Sequence, residues 1–166
     1  MNYSRKEEKP FVFVIFGATG DLTRRKLIPA IYALAADGLL PDKFRILAIG
    51  RRDYTSEYFR GMMEDSVKQY SQRDFRKEIW DKIKDRITYI NFDFSNPEGY
   101  VLLKRHLDNL SGDGIHNHLF FLAVAPSLFA PIVTELGKNN MLSEGTGWRR
   151  IMIEKPFGEN LEKAAE

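Results

Sequence analysis

Short uninterrupted apolar runs alternate along this chain with longer stretches in which apolar positions recur at helical spacing. The runs Phe11 to Phe16, Arg45 to Gly50, Ile87 to Phe92, His118 to Leu122 and Arg150 to Glu154 are rich in β-branched or aromatic residues and read as strands. Leu22, Leu27, Ile31 and Leu34 predict a helix from about Leu22 to Ala36, with Asp21 as its N-cap and Asp37-Gly38 ending it. The charged stretch Thr55 to Asp85 has room for two helices meeting near Tyr70 to Arg73. Tyr58, Met62 and Val67 mark the buried stripe of the first, and Phe75, Ile79, Trp80 and Ile83 that of the second. Another helix follows Asn96-Pro97, and one more follows Ala125-Pro126 and ends near Gly137 to Asn140. Strand and helix alternate, so the expected fold is α/β: a doubly wound, mainly parallel sheet with right-handed crossovers, helices on both faces and ligands at the carboxyl ends of its strands.

Composition narrows the function classes. At 166 residues and 43% hydrophobic the chain fits one domain with a real core, expected over residues 11–166 behind a flexible polar leader at 1–10. Lys and Arg number 25 against 23 acids, and a net charge of +2 gives no case for a nucleic-acid or membrane partner. There is no cysteine, hence no disulfide framework or thiolate metal site, and the expected home is the reducing cytoplasm. No signal peptide or membrane span is read. His106, His116 and His118 are scattered without ligand spacing and read as structural or solvated, so no metal is expected. Trp80 and Trp148 read as packing residues. The final residues, Asn160 to Glu166, look like the opening of another helix, so the chain is expected to be part of a longer protein whose second domain holds substrate.

Chemistry concentrates where strands give way to helices. The first strand runs through Gly17-Ala-Thr-Gly-Asp-Leu-Thr-Arg-Arg-Lys-Leu27 into a helix. Gly17 and Gly20 allow a sharp turn and close approach of a pyrophosphate, and the open N–H groups of the helix start favour its charge. This is the layout of a Rossmann-type dinucleotide-binding domain, with the spacing G-x-x-G in place of G-x-G-x-x-G. Arg24, Arg25 and Lys26 oppose the helix dipole, either because a phosphate lies near or as a solvated face. The second strand ends Gly50-Arg51-Arg52-Asp53, where the fold meets the adenosine ribose. An acidic residue there selects NAD; a glycine followed by two arginines favours the 2′-phosphate of NADP, with solvated arginines as the alternative and Asp53 within a small shift of the ribose. Phe129, after Ala125-Pro126, either packs beside the coenzyme or belongs to the core. The fifth strand exits as Glu154-Lys155-Pro156-Phe157-Gly158. Lys155 at the binding edge suits the positioning of a substrate hydroxyl or phosphate for hydride transfer, with a surface ion pair as the alternative, and the turn admits a cis bond before Pro156.

Taken together and in this order, Gly17 to Leu27, Ile49-Gly-Arg51, Leu122-Ala-Val-Ala-Pro126 and Ile153-Glu-Lys-Pro-Phe-Gly158 resemble the glucose-6-phosphate dehydrogenases over nearly the whole chain. The resemblance implies an NADP-dependent oxidoreductase of the pentose phosphate pathway, oxidising glucose 6-phosphate to 6-phosphogluconolactone as a cytoplasmic homo-oligomer. It implies that Gly17, Ala18, Thr19, Gly20, Asp21, Leu22, Thr23 and Arg24 form the coenzyme loop and that Arg51 engages the 2′-phosphate. Lys155 would contact both sugar phosphate and coenzyme as the catalytic-site lysine, with Pro156 in a cis bond. Phe129 falls where some members carry a tyrosine, and would touch the coenzyme by stacking only; Ala125-Pro126 replaces a pair of prolines. The family's Arg-Ile-Asp-His-Tyr-Leu-Gly-Lys motif and its histidine general base, in a large β+α domain, are not reached by Glu166, so this chain alone is expected to bind coenzyme without turnover. Two other readings are a sugar oxidoreductase of the glucose-fructose oxidoreductase and inositol dehydrogenase type, and a non-catalytic dinucleotide sensor.

Overall fold

The computed structural model describes residues 9–154. Its centre is a sheet of parallel strands β1 (Phe11–Phe16), β2 (Arg45–Gly50), β3 (Ile87–Asn91), β4 (Asn117–Leu122) and β5 (Arg149–Ile153), in the order β3-β2-β1-β4-β5. The chain steps outward from β1 through β2 to β3, then returns to the other side of β1 for β4 and β5. That reversal leaves a crevice at the carboxyl ends of β1 and β4, the usual ligand position in an open α/β sheet. Register is continuous across it: Phe16 lies opposite Ile49 on one side and Leu122 on the other.

Alternation along β1 divides the core in two. Val12, Val14 and Phe16 face α4 (Pro97–Gly112) and α5 (Phe129–Lys138), whereas Phe13 and Ile15 face α1 (Ile28–Ala36), α2 (Ser56–Tyr70) and α3 (Lys77–Lys84). Both faces are covered at β1, so the strand is apolar at every position. β5 is different, with Ile151 and Met152 exposed. Beside it an apolar groove of about 260 Å³ opens between α1 and the sheet, floored by Phe13, Leu119 and Phe121.

Helix ends follow local chemistry. Thr55 caps α2 by accepting from the Tyr58 N–H at 3.1 Å, and Asn96 caps α4 by accepting from the Glu98 N–H at 3.1 Å, with Pro97 at the first helical position. α1 closes with Leu39 N–H to Leu34 O and Gly38 N–H to Ala35 O, a left-handed cap with Gly38 at φ +68°. Trp80 is on the buried face of α3, and Trp148 packs against Phe11 at 6.2 Å, as read from the sequence.

Several expectations are corrected. The first helix does not run evenly from Leu22: Thr23–Leu27 form a π-turn, with Ile28 N–H bonding to Thr23 O. The wider turn rotates the buried stripe, so Thr23, Ile28 and Tyr32 go inside while Leu34 stays 41% exposed. In α2 Val67 is buried as expected, but the other two stripe positions shift by a residue, to Phe59 and Met63; Tyr58 is 57% exposed and lies on Tyr54 at 4.8 Å. Phe75 precedes α3 and stacks on Tyr32 at 6.0 Å. Asp21 is not an N-cap. The helical ladder opens with Arg24 N–H to Gly20 O, which puts Gly20 at the cap and Asp21 in the first turn, its carboxylate 3.8 Å from Arg25. There it complements the helix dipole without bonding a backbone N–H.

Candidate functional site

The crevice is built around the turn after β1. Gly17 has φ +90°, and both its N–H and that of Ala18 donate to Ile49 O, at 3.0 and 2.9 Å, tying the turn to the end of β2. A Cβ on Gly17 would run into the carbonyl oxygen of Ala123, just beyond β4. Thr23, fully buried in the π-turn, donates its hydroxyl to Gly17 O at 3.1 Å, and the Gly20 N–H reaches the same carbonyl at 3.1 Å. Ala18 and Thr23 therefore shape the loop from inside, while Gly20 and Asp21 stand exposed on its open side and Thr19 and Leu22 are half-buried. The N–H groups of Asp21, Leu22 and Thr23 precede the first helical bond, so this end of the helix carries the positive end of its dipole.

The basic run divides. Arg25 lies over the Tyr70 ring at 5.5 Å and near Asp21, and Lys26 is exposed. Arg24 is half-buried in the first turn, and its Nε is enclosed without a partner among the described residues. An enclosed guanidinium N–H beside a glycine turn fits a phosphate oxygen, and a dinucleotide pyrophosphate suits this donor set.

At the tip of β2 the sequence places a glycine for a reason found elsewhere in the chain. A Cβ on Gly50 would lie 2.5 Å from the Tyr89 hydroxyl and 3.2 Å from Thr19 Cγ2. Tyr89 is held there by donating to Arg52 O at 2.7 Å, and burial with Tyr54 beside it pushes its hydroxyl up to about 12. Arg51 and Arg52 follow, both exposed and in no ion pair among the described residues. Asp53 accepts from the Asn91 side-chain amide at 3.4 Å, toward the end of β3. Asp93, held ionised below the usual carboxylate range by the Ser95 hydroxyl and N–H, has Arg51 as a further positive neighbour.

Across the crevice, Pro126–Leu128 form a 3₁₀ turn that enters α5 at Phe129. Phe129 is half-buried against the core face that holds Phe16 and Leu122, so it has one side in the core and one toward solvent. Glu154 is exposed just past β5; Lys155 and Pro156 lie outside the described residues.

The sequence that builds this crevice is matched by a family model. Residues 14–166 fit the one described as "Glucose-6-phosphate dehydrogenase, NAD binding domain". The chain belongs to that family. Among its relatives, glucose-6-phosphate 1-dehydrogenase of Chlamydia pneumoniae is 39% identical over 163 residues, covering 95% of this chain and 32% of its own length. The Caenorhabditis elegans protein of the same name is 35% identical over 169 residues, 100% of this chain and 32% of its own. The crystal structure of glucose-6-phosphate 1-dehydrogenase from Mycobacterium avium superposes with a TM-score of 0.81 at 30% identity, over 93% of this chain and 32% of that one. A glucose-6-phosphate dehydrogenase in complex with its substrate glucose 6-phosphate gives 0.82 at 28%, over 96% and 33%. The chain thus spans about a third of the length of the relatives it matches.

The π-turn, the inward Thr23 and the Tyr89 hydroxyl under Gly50 are missing from the sequence reading. The first had no local signal. The last could be sought only as a pairing of a glycine strand end with a tyrosine on the neighbouring strand.

Proposed function

We propose that this domain, residues 11–166, binds NADP for a glucose-6-phosphate dehydrogenase. The observation that carries the preference is the tip of β2. An acidic side chain to hold a ribose 2′-hydroxyl has no room at position 50, because the Tyr89 hydroxyl and Thr19 methyl fill the space a Cβ would need. Asp53, the nearest acid in sequence, is turned to Asn91. What the tip offers instead is two exposed guanidinium groups, planar donor forks suited to phosphate.

Around that group the chain's own residues would divide the work. Gly17 to Arg24 hold the pyrophosphate through backbone N–H groups and Arg24; Arg51 holds the 2′-phosphate; the Ala125 to Phe129 loop walls the nicotinamide. When bound, the coenzyme supplies the hydride acceptor. Lys155, reached by the chain one residue past Glu154 on the binding edge, orients the sugar phosphate so that its C1 faces that acceptor. The proton of the C1 hydroxyl goes to a general base, giving the 6-phosphogluconolactone. In this reading the enzyme is a cytoplasmic homo-oligomer of the pentose phosphate pathway.

Calorimetric titration with NADP and NAD, repeated after Arg51→Ala, tests the coenzyme half. Loss of one charge-assisted contact, about 1.5–3 kcal/mol, weakens NADP by roughly 10- to 100-fold and leaves NAD nearly unchanged. Equal weakening of both coenzymes would remove Arg51 from the 2′-phosphate.

A further inference from the structure

A second polar cavity lies at the opposite edge of the sheet, where β4 and β5 begin. It has a volume of about 280 Å³ and is bounded by the second half of α4, the start of β4, the loop from Asn140 to Thr146 and Arg149 at the start of β5. Strands of this length put it roughly 17–20 Å from the coenzyme crevice.

Its wall holds polar groups that the folded chain leaves unanswered. His118 is only 4% exposed, and neither ring nitrogen has a partner among the described residues. Arg149 is similar: its Nη1 donates to His116 O at 2.6 Å and Trp148 O at 3.1 Å, while its Nε is enclosed and unpartnered. Leaving such donors empty costs about 1–3 kcal/mol each, so a partner inside the cavity is the economical explanation. The charge balance says which kind. Lys104 is paired with Asp108 at 3.0 Å, but the Arg149 guanidinium is in no ion pair among the described residues; Glu144 accepts from its backbone N–H at 3.0 Å and supports the guanidinium charge only through space. Burial pulls the Arg149 pKa down and so favours a counter-ion. A metal cation would be repelled, and water would satisfy His118 while leaving the guanidinium without a directly paired anion. Ser111, Ser143 and Thr146 add hydroxyls around the same space, a donor set for several oxygens on one centre.

We propose that this cavity is an anion site that takes the phosphate group of a small molecule, with Arg149, His118 and the Ser143 and Thr146 hydroxyls as its donors. The coenzyme crevice plays no part in it. Burial chiefly holds His118 neutral, Arg149, His116 and Lys104 act the same way and Asp108 opposes them; a bound anion shifts the balance toward the imidazolium, working against the Asp108 carboxylate on the same wall.

The test is titration of the 166-residue chain with inorganic phosphate, against chloride at matched ionic strength, followed by the ring ¹H–¹⁵N signals of His118. A saturable shift with phosphate is expected, retained after Arg51→Ala and weakened about tenfold or more by Arg149→Gln. An alkyl phosphate monoester, run in parallel, shows by tighter binding whether the ligand is an ester or the free anion. If Arg149→Gln does not fold, Ser143→Ala combined with Thr146→Val, in the loop, decides by the same weakening. Shifts that chloride reproduces, or phosphate binding untouched by the variant that folds, overturn the proposal.

Discussion

Replacing Gly17 with alanine separates two jobs that the glycine turn performs. At φ +90° an L side chain is strained, by about 1–2 kcal/mol for left-handed backbone. The added Cβ also meets Ala123 O, in a residue whose N–H is tied to Phe16 O at 2.9 Å; backbone displacement of that kind costs about 1–3 kcal/mol. The sum, about 2–5 kcal/mol, leaves a domain of ordinary stability folded but visibly weakened. Gly38→Ala is the control, with φ +68° and nothing within 4 Å of its new Cβ, so only the strain of about 1–2 kcal/mol remains. Gly20→Ala is the complement. Its backbone is not left-handed and its nearest contact is Gly17 O at 3.3 Å, so stability changes by less than about 1 kcal/mol, yet its methyl stands on the exposed side of the loop, where the pyrophosphate is proposed to approach. Urea unfolding gives the three stabilities and calorimetry with NADP gives the affinities. The expected order of destabilisation is Gly17 above Gly38 above Gly20, with Gly20→Ala losing coenzyme affinity out of proportion to its stability. Equal destabilisation at Gly17 and Gly38 would show that Ala123 yields freely, and unchanged NADP binding by Gly20→Ala would move the pyrophosphate off this loop.

Thr23→Val removes a buried hydroxyl whose acceptor, Gly17 O, keeps its bond from Gly20, so a loss of about 0.5–1.5 kcal/mol in urea unfolding is expected; a larger loss would mean that the π-turn itself depends on this bond. His118 titrates at about 4, chiefly because of burial and then Arg149, below the 6.5 of an ordinary histidine. The unfolded chain is therefore the better proton binder between those values, so stability is complete above about 6.5 and falls as pH drops toward 4, by about 2–3 kcal/mol. His118→Phe should flatten that slope in phosphate-free buffer, and an unchanged slope would assign it to other groups. Given glucose 6-phosphate and NADP, the 166-residue chain should form no NADPH in an absorbance assay; turnover would place a sufficient base within it.

The strands were legible because a parallel sheet covered on both faces demands near-continuous apolar runs, and Phe11 to Phe16 has no polar interruption for a helix to use. Each predicted strand lies within a residue of its observed bounds. The glycine turn was legible for a similar reason: Gly17 answers a local need, a left-handed turn at a strand end. What escaped is what two distant segments decide between them. The buried stripe of the first helix depends on the π-turn at Thr23–Leu27, within which Thr23 reaches back to Gly17, a contact that helical periodicity treats as absent. Gly50 reads in sequence as the lack of an acid; in the structure it is where Tyr89 on the next strand keeps out any side chain. The same holds for His118, which reads as one of three scattered histidines until β5 brings Arg149 beside it. The proposed coenzyme preference rests on this second kind of fact. An exchange that restores an acid at the β2 tip would have to remove the Tyr89 hydroxyl as well, so Gly50→Asp paired with Tyr89→Phe should admit NAD better than either change alone, and additive effects of the two changes would break the link between that hydroxyl and the ribose site.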